Sequence, residues 1–559
     1  MKKILCFLCF MSVIFYFSSC EDLLTVDSAR YVTVDDNGLT SANDSVSSVL
    51  GLLSGLQKIG ERYFLFGEMR GDLLAVTDST PAAIRELNDF TVKPASDYAD
   101  PLDYYAIINN CNYIISRTGD AGSPLIKENA VAHAIRAWTY MQVVLNWGKA
   151  YYFTEPLLSV KDTEKNFPAY MIPQMIDALI ADLEPFAEAI YPNYGDIYGM
   201  SSTRLFMPVK VLLGDLYLWR GASKDDYEKA AFYYADYIDK NNSTIQVLNY
   251  QPEVIWSYDN FLLQNFDKAY PSNFWSQYTY ASSSNSELIT AIQMATSAAD
   301  GITSNLWKQY KYYKLSDAII NLWDDQTYLL HYVSGALATD YYTMGDLRKR
   351  ANFLNTGRSY IFDGTNAYYP LTKLSSSYHI MVYRLGLVLL RYAEAVNRAG
   401  KPNTAFAVLK YGLSPETLSD PAKIPREELE DAPYIMVFYN SKYSTINNDN
   451  NLKGTGIHSR GCGYSGFDRF YVIGGTTGEP LATRSDTILW VEDAICKELA
   501  LETSVEGNRF QDLMRIAMRR NDPPFLAKRV AAKHETGHDR IYNLLQDTKN
   551  WFLPEKSKQ

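Results

Sequence analysis

Wherever apolar and polar positions alternate regularly along this chain, the period is helical. From Glu128 to Trp147, Val131, Ile135, Trp138, Met141 and Leu145 recur at steps of three or four, which puts them on one helix face. Just upstream, Pro101 suits a first helical position. A helix from there to about Arg117 turns Ile107, Ile108, Tyr113 and Ile114 inward. Ile172 to Leu183 repeats the pattern, and Pro185 falls where such a helix weakens. Met207 to Trp219 is apolar almost all round, with Pro208 near its start, and predicts a buried helix. Arg220-Gly221 ends it as a C-cap would. Further helices are expected over Asp225–Asp239, Arg384–Ala399 and Asn403–Gly412.

Some of these helices come in pairs. Met207–Trp219 and Asp225–Asp239 are joined by a short turn and span about 34 residues, the period of a tetratricopeptide unit. Arg384–Ala399 and Asn403–Gly412 make a similar pair around Gly400-Lys401-Pro402. The expected fold class is mainly α, with tetratricopeptide-like helix pairs, far apart in sequence, stacked into a right-handed scaffold and with only minor β structure. Helix-pair arrays hold partners more often than they do chemistry. Between the pairs run long irregular stretches at 241–286, 334–377 and 414–486, rich in Tyr, Asn, Ser and Gly. Loops of that length are functional or disordered, and their aromatic content favours function.

The first residues bear on the compartment. Lys2 and Lys3 precede an apolar run from Ile4 to Phe17, too short for an ordinary membrane span and right for a signal peptide. It ends in Phe17-Ser18-Ser19-Cys20, small residues before a cysteine, as a lipoprotein signal peptidase requires. Phe17 departs from the commoner aliphatic residue, and an ordinary signal peptide with an incidental cysteine is the alternative. The expected division is a signal peptide at 1–19, a lipid anchor on Cys20 with a tether to residue 48, and one body over 49–559. Acyl chains hold such a protein at a membrane because each buried CH₂ contributes roughly 0.8 kcal/mol. Glu21 and Asp22 follow at once and resemble the surface-export signal of Bacteroidetes lipoproteins; a solvated tether is the plainer account.

Charge and composition narrow the partners. Loss of Lys2 and Lys3 takes the formal charge from −11 to about −13, and blocks of Lys/Arg are missing, which argues against nucleic acid. Cys111, Cys462 and Cys496 are too few and too widely spaced for a disulfide framework or a zinc ligand set. The 44 tyrosines and 9 tryptophans exceed what a core needs. Amphipathic rings at a surface grip sugars and peptides, although a compositional habit would give the same count.

Several segments, in order along nearly the whole chain, resemble the SusD/RagB family. They are Phe66-Gly67-Glu68-Met69-Arg70-Gly71-Asp72; Tyr104 to Asn112; Val209 to Trp219; Tyr383-Arg384-Leu385 through Leu390-Arg391-Tyr392-Ala393-Glu394-Ala395; Glu498 to Glu502 leading into Glu506-Gly507-Asn508-Arg509-Phe510-Gln511-Asp512-Leu513-Met514-Arg515; and Trp551-Phe552-Leu553-Pro554. The resemblance implies a helical scaffold with a looped ligand-binding face. It also implies a non-catalytic lipoprotein of the outer membrane, facing the exterior, that captures oligosaccharide, or in some members peptide, for a SusC-like TonB-dependent transporter. No cofactor, metal or catalytic residue is expected. Candidate ligand contacts are Trp256, Trp275, Tyr278 and Tyr280, with Asn273 and Gln277 beside them. A second candidate is the loop from Ala75 to Pro81, with Thr77, Asp78 and Thr80. Each ring, taken singly, is more often packing than ligand.

Two constellations offer a different class, a surface hydrolase. Glu498, Glu502 and Glu506 share a face if one helix carries them, and two could act as acid and base. A charge network locking a helix corner, with Arg509 and Arg515 as the cations, is the stronger reading. Arg384, Arg391 and Glu394 lie along one apolar helix, where Arg391 and Glu394 can pair at i, i+3 and all three are expected to pair between helices. His534-Glu535-Thr536-Gly537-His538 has the spacing of a zincin, but Gly537 disfavours the helix that motif needs, by roughly 1 kcal/mol.

Overall fold

The described residues of the computed structural model run from 42 to 556, interrupted at 120–122, 242–284, 286, 300, 307–310, 335–336, 347, 350–360, 363–366, 369–370, 372, 374–378, 433, 436–455, 463–465, 467 and 476–480. The longer helices, labelled in chain order, are α1 (Ala42–Glu68), α2 (Leu102–Thr118), α3 (Ile126–Trp147), α4 (Ile172–Leu183), α5 (Val209–Arg220), α6 (Lys224–Lys240), α7 (Leu385–Arg398), α8 (Pro402–Lys410), α9 (Arg484–Thr503), α10 (Arg509–Arg520), α11 (Pro523–Ala532) and α12 (His538–Leu545). Each predicted helix is present, with ends that move by a few residues. Pro101 sits at the N-cap of α2 and Pro185 in a 3₁₀ turn after α4. Ala42–Ser48, expected to belong to the tether, is already helical.

The helices stack pairwise. α1 lies on α2 and α3, α3 on α4, and α4 on α5; α6 packs on α7, and α7 and α8 pack on α9. α10 returns to α1, so the two ends of the scaffold meet. α5 is buried over Val209–Trp219, as an all-round apolar helix must be. Its pairing with α6 depends on Gly214, where a Cβ would stand 2.5 Å from the Tyr234 ring. Gly221 then adopts φ +40 and ends α5, a backbone state that costs glycine little.

Strands are short and serve as joints. β1 (Leu74–Val76), β2 (Leu288–Ile292), β3 (Tyr313–Leu315), β4 (Thr327–Ser334), β5 (Leu337–Met344) and β6 (Ile380–Arg384) form antiparallel pairs β1–β3, β2–β6 and β4–β5. β6 runs straight into α7, with Arg384 at the N-cap. The β4–β5 hairpin, in register Ser334↔Leu337, enters the stretch expected to be irregular at 334–377. The stretch 414–486 likewise holds short helices at Pro415–Ser419, Arg426–Leu429 and Ser459–Cys462. The free cysteines Cys111, Cys462 and Cys496 are all buried.

Candidate functional site

The turn at 75–81 is divided between support and surface. Ala75 and Val76 belong to β1. Thr77 and Thr80 are used by the fold: the Thr77 N–H donates to Thr80 Oγ1 at 2.8 Å, and their hydroxyls donate to the backbone carbonyls of Lys311 and Tyr312. Asp78 is left exposed at the tip. Trp256, Asn273, Trp275, Gln277, Tyr278 and Tyr280 lie outside the described residues, as does Cys20.

The acidic helix leads instead into the protein interior. Glu498 and Glu502 stand one turn apart on α9, but the helix ends at Thr503, so Glu506 sits in the turn before α10 and not on a shared helix face. The partners differ from those expected. Arg348 Nη1 reaches Glu498 at 3.0 Å and Glu502 at 3.1 Å. Arg384 reaches Glu502 at 2.8 Å and Glu506 at 2.9 Å, and Arg460 reaches Glu502 at 2.7 Å. Lys373 contacts Glu506 at 2.6 Å, Glu287 bridges Arg384 and Arg460, and Asp346 pairs with Arg348 at 2.8 Å. His458 lies 2.5 Å from Glu498 and stacks on Tyr471. Arg509 instead grips Asp72 at 2.6 and 2.8 Å. Arg515 grips Glu394 at 2.9 Å and Asp512 at 2.7 Å. Arg391 does not pair with Glu394 along its own helix; it donates to Asp215 on α5 at 2.7 Å. The expected pairing between helices therefore holds for all three residues, and the pairing within one helix does not.

This lattice is electrostatic mortar, not an acid–base pair. Burial alone would raise Glu498 and Glu502, but Arg348 and His458 beside the first, and Arg460, Arg384 and Arg348 beside the second, outweigh it. Both are held below the ordinary carboxylate value, Glu502 well below. A general acid near neutral pH needs the opposite shift. Lys373, Arg348 and Arg460 come from the stretches 334–377 and 414–486, so the charges tie those stretches to the corner between α9 and α10. Nothing in the sequence set them apart, because each stretch holds several other Lys and Arg residues, among them Lys349, Arg358, Lys423 and Arg469.

Three further motifs resolve the same way. Arg70 is buried, donates to Asn146 Oδ1 at 2.9 Å and to the Trp551 carbonyl, and lies 4.1 Å over the Phe510 ring. Trp551 is buried and donates its indole N–H to the Leu545 carbonyl of α12 at 2.7 Å, and the Leu553 N–H donates to the Asn146 carbonyl of α3, so the carboxyl-terminal segment is held by Arg70 and by α3. In His534–His538 the helix is broken: α11 stops at Ala532, Gly537 has φ +79, and His538 opens α12. Glu535 pairs with Lys314 at 3.1 Å. Among the described residues no cluster of three or more His, Cys, Asp or Glu is placed to hold a metal ion.

No family model matches the chain. SusD-like protein P38 of Formosa agariphila is 22% identical over 173 residues, 30% of this chain, and the match spans 33% of that relative's length. Among solved structures, a SusD superfamily protein from Bacteroides thetaiotaomicron superposes with TM-score 0.53 at 16% identity, over 91% of this chain and 97% of that one. Another, from Bacteroides vulgatus, gives TM-score 0.53 at 13% identity over 92% and 96%. Likeness at such identities is likeness of architecture, and it extends over the whole helical stack. The chain therefore has the fold of the SusD superfamily structures.

Proposed function

We propose that this protein is a non-catalytic cell-surface lipoprotein that captures a nutrient, oligosaccharide before peptide, and hands it to a SusC-like TonB-dependent transporter. The observation that carries the reading is the SusD-superfamily fold over more than nine-tenths of the chain. The cysteine at the end of the signal-like segment supports an anchor on Cys20 in the outer membrane, facing outward. Among the described residues no helix is long and apolar enough to cross a membrane. In this reading Trp256, Trp275, Tyr278 and Tyr280 supply stacking rings and Asp78 a hydrogen-bonding carboxylate, and neither cofactor nor catalytic residue takes part.

Titration calorimetry of the protein against panels of oligosaccharides and peptides tests it. Binding of an intact glycan is expected, weakened about tenfold by Trp275→Ala, or ~1.4 kcal/mol. Binding to peptides alone would keep the transporter role and change the cargo. A glycan returned shortened would overturn the non-catalytic reading.

A further inference from the structure

Where α1, α3, α5, α7 and α10 converge, the packing leaves a partly open cavity of about 30 Å³, against the roughly 10–15 Å³ that one water needs. Part of its wall is indole and aliphatic. The rest is polar: Tyr63, Gln142, Asp215, Arg391, Asn508 and Gln511 all line it. Most of these groups satisfy one another. Arg391 donates Nη1 to Asp215 Oδ2 at 2.7 Å and Nη2 to Asn508 Oδ1 at 3.3 Å, and the Tyr63 hydroxyl donates to the same Asn508 oxygen at 2.9 Å. Gln511 turns its Nε2 to Asn146 at 3.5 Å.

Two atoms are left over. Arg391 Nε and Gln511 Oε1 have no protein partner among the described residues, although both side chains are more than nine-tenths buried. One is a donor without an acceptor and the other an acceptor without a donor, and their side chains share the cavity wall. Leaving either group unmatched in a low-dielectric interior is costly. The occupant must therefore accept from one and donate to the other, and must be very small. A metal ion would meet the Arg391 guanidinium. An anion would meet the Asp215 carboxylate and the Gln511 carbonyl. An apolar gas would satisfy neither atom.

We infer that this cavity is a built site for ordered water, bridging Arg391 Nε–H to Gln511 Oε1 with the Gln142 amide as a further partner. The water links α7, α10 and α3 where the helical stack closes on itself, and so completes the hydrogen bonding of the junction.

High-resolution crystallography of the protein, with a second crystal pressurised under xenon, tests this. A full-occupancy water peak within hydrogen-bonding reach of Arg391 Nε and Gln511 Oε1, and no xenon in the cavity, is the expected result. In Gln511→Met, which keeps the volume and removes the acceptor, that peak should fall to partial occupancy or vanish while the Arg391–Asp215 pair stays in place. Xenon in the cavity, a direct Arg391–Gln511 bond closing it, or a peak unchanged in Gln511→Met would each overturn the inference.

Discussion

At the scale of single residues, the interior is organised by charges that are worth most when left complete. Glu502 is buried and faces Arg348, Arg384 and Arg460. Glu502→Gln keeps the shape and strands those cations, and should cost about 3–5 kcal/mol, read from the urea midpoint at unchanged m-value. A loss below about 1 kcal/mol would mean that the lattice behaves as solvated surface pairs do. Acid should act in the same direction. Glu498 and Glu502 lie below their ordinary values in the folded protein, so the stability they confer is present above the usual carboxylate range. It is lost as pH falls through their folded values. Glu68 runs the other way. Burial pushes it up from 4.5 to about 7, only partly offset by the N–H groups of Gly507 and Val505. Its contribution is present below pH 4.5 and disappears as pH rises through 7, roughly 3 kcal/mol in all. Stability measured from pH 5 to pH 8 should therefore fall less steeply in Glu68→Gln, and an identical slope would refute that assignment. The sequence marked Arg384, Arg391 and Glu394 as paired between helices because they interrupt an apolar helix, and Glu498 and Glu502 as members of a charge network at a helix corner. It could not name their partners, which stand more than a hundred residues away in most cases and follow no local period.

At the scale of elements, periodicity located the helices but underread their surroundings. α3 shows one apolar stripe in sequence, yet it is buried on every side, with Arg136, Thr139, Gln142 and Asn146 interior as well. Arg136 is tolerated there because it donates to Asn112 at 2.7 Å and to both oxygens of Asp182 at 2.8 and 2.9 Å. A polar residue on the second face of a helix reads as exposed until its partner is known. The pairing of α5 with α6 was legible from the short turn between them, and how closely they approach was not. Gly214→Ala brings a methyl against the Tyr234 ring and should destabilise by about 1–3 kcal/mol in thermal unfolding. No change would show that the ring can step aside. The H-E-x-x-H spacing is the opposite case. Its residues are contiguous in sequence, yet Gly537 at φ +79 divides them between two elements.

At the scale of the whole molecule, the two ends of the described chain hold each other. Arg70, just past α1, caps the Trp551 carbonyl, and the Leu553 N–H donates to the Asn146 carbonyl at 2.8 Å. Trp551→Ala should cost about 3–5 kcal/mol, as a large buried ring does, and should loosen α12 first in hydrogen exchange. Exchange that quickens evenly throughout the chain would argue that the carboxyl-terminal segment has no local hold. The helices, their pairing and the buried status of the charged stripe followed from sequence alone, because helical period and turn chemistry act over a few residues. So did the signal-like apolar run ending at Cys20, whose length and flanking residues are local properties. The partners of Arg348, Arg384 and Arg460, the closure of α10 onto α1, and the cavity beside Arg391 were decided only by tertiary structure. Each depends on which distant side chains arrive at one point, and burial turns that meeting into free energy only once the surrounding water is gone.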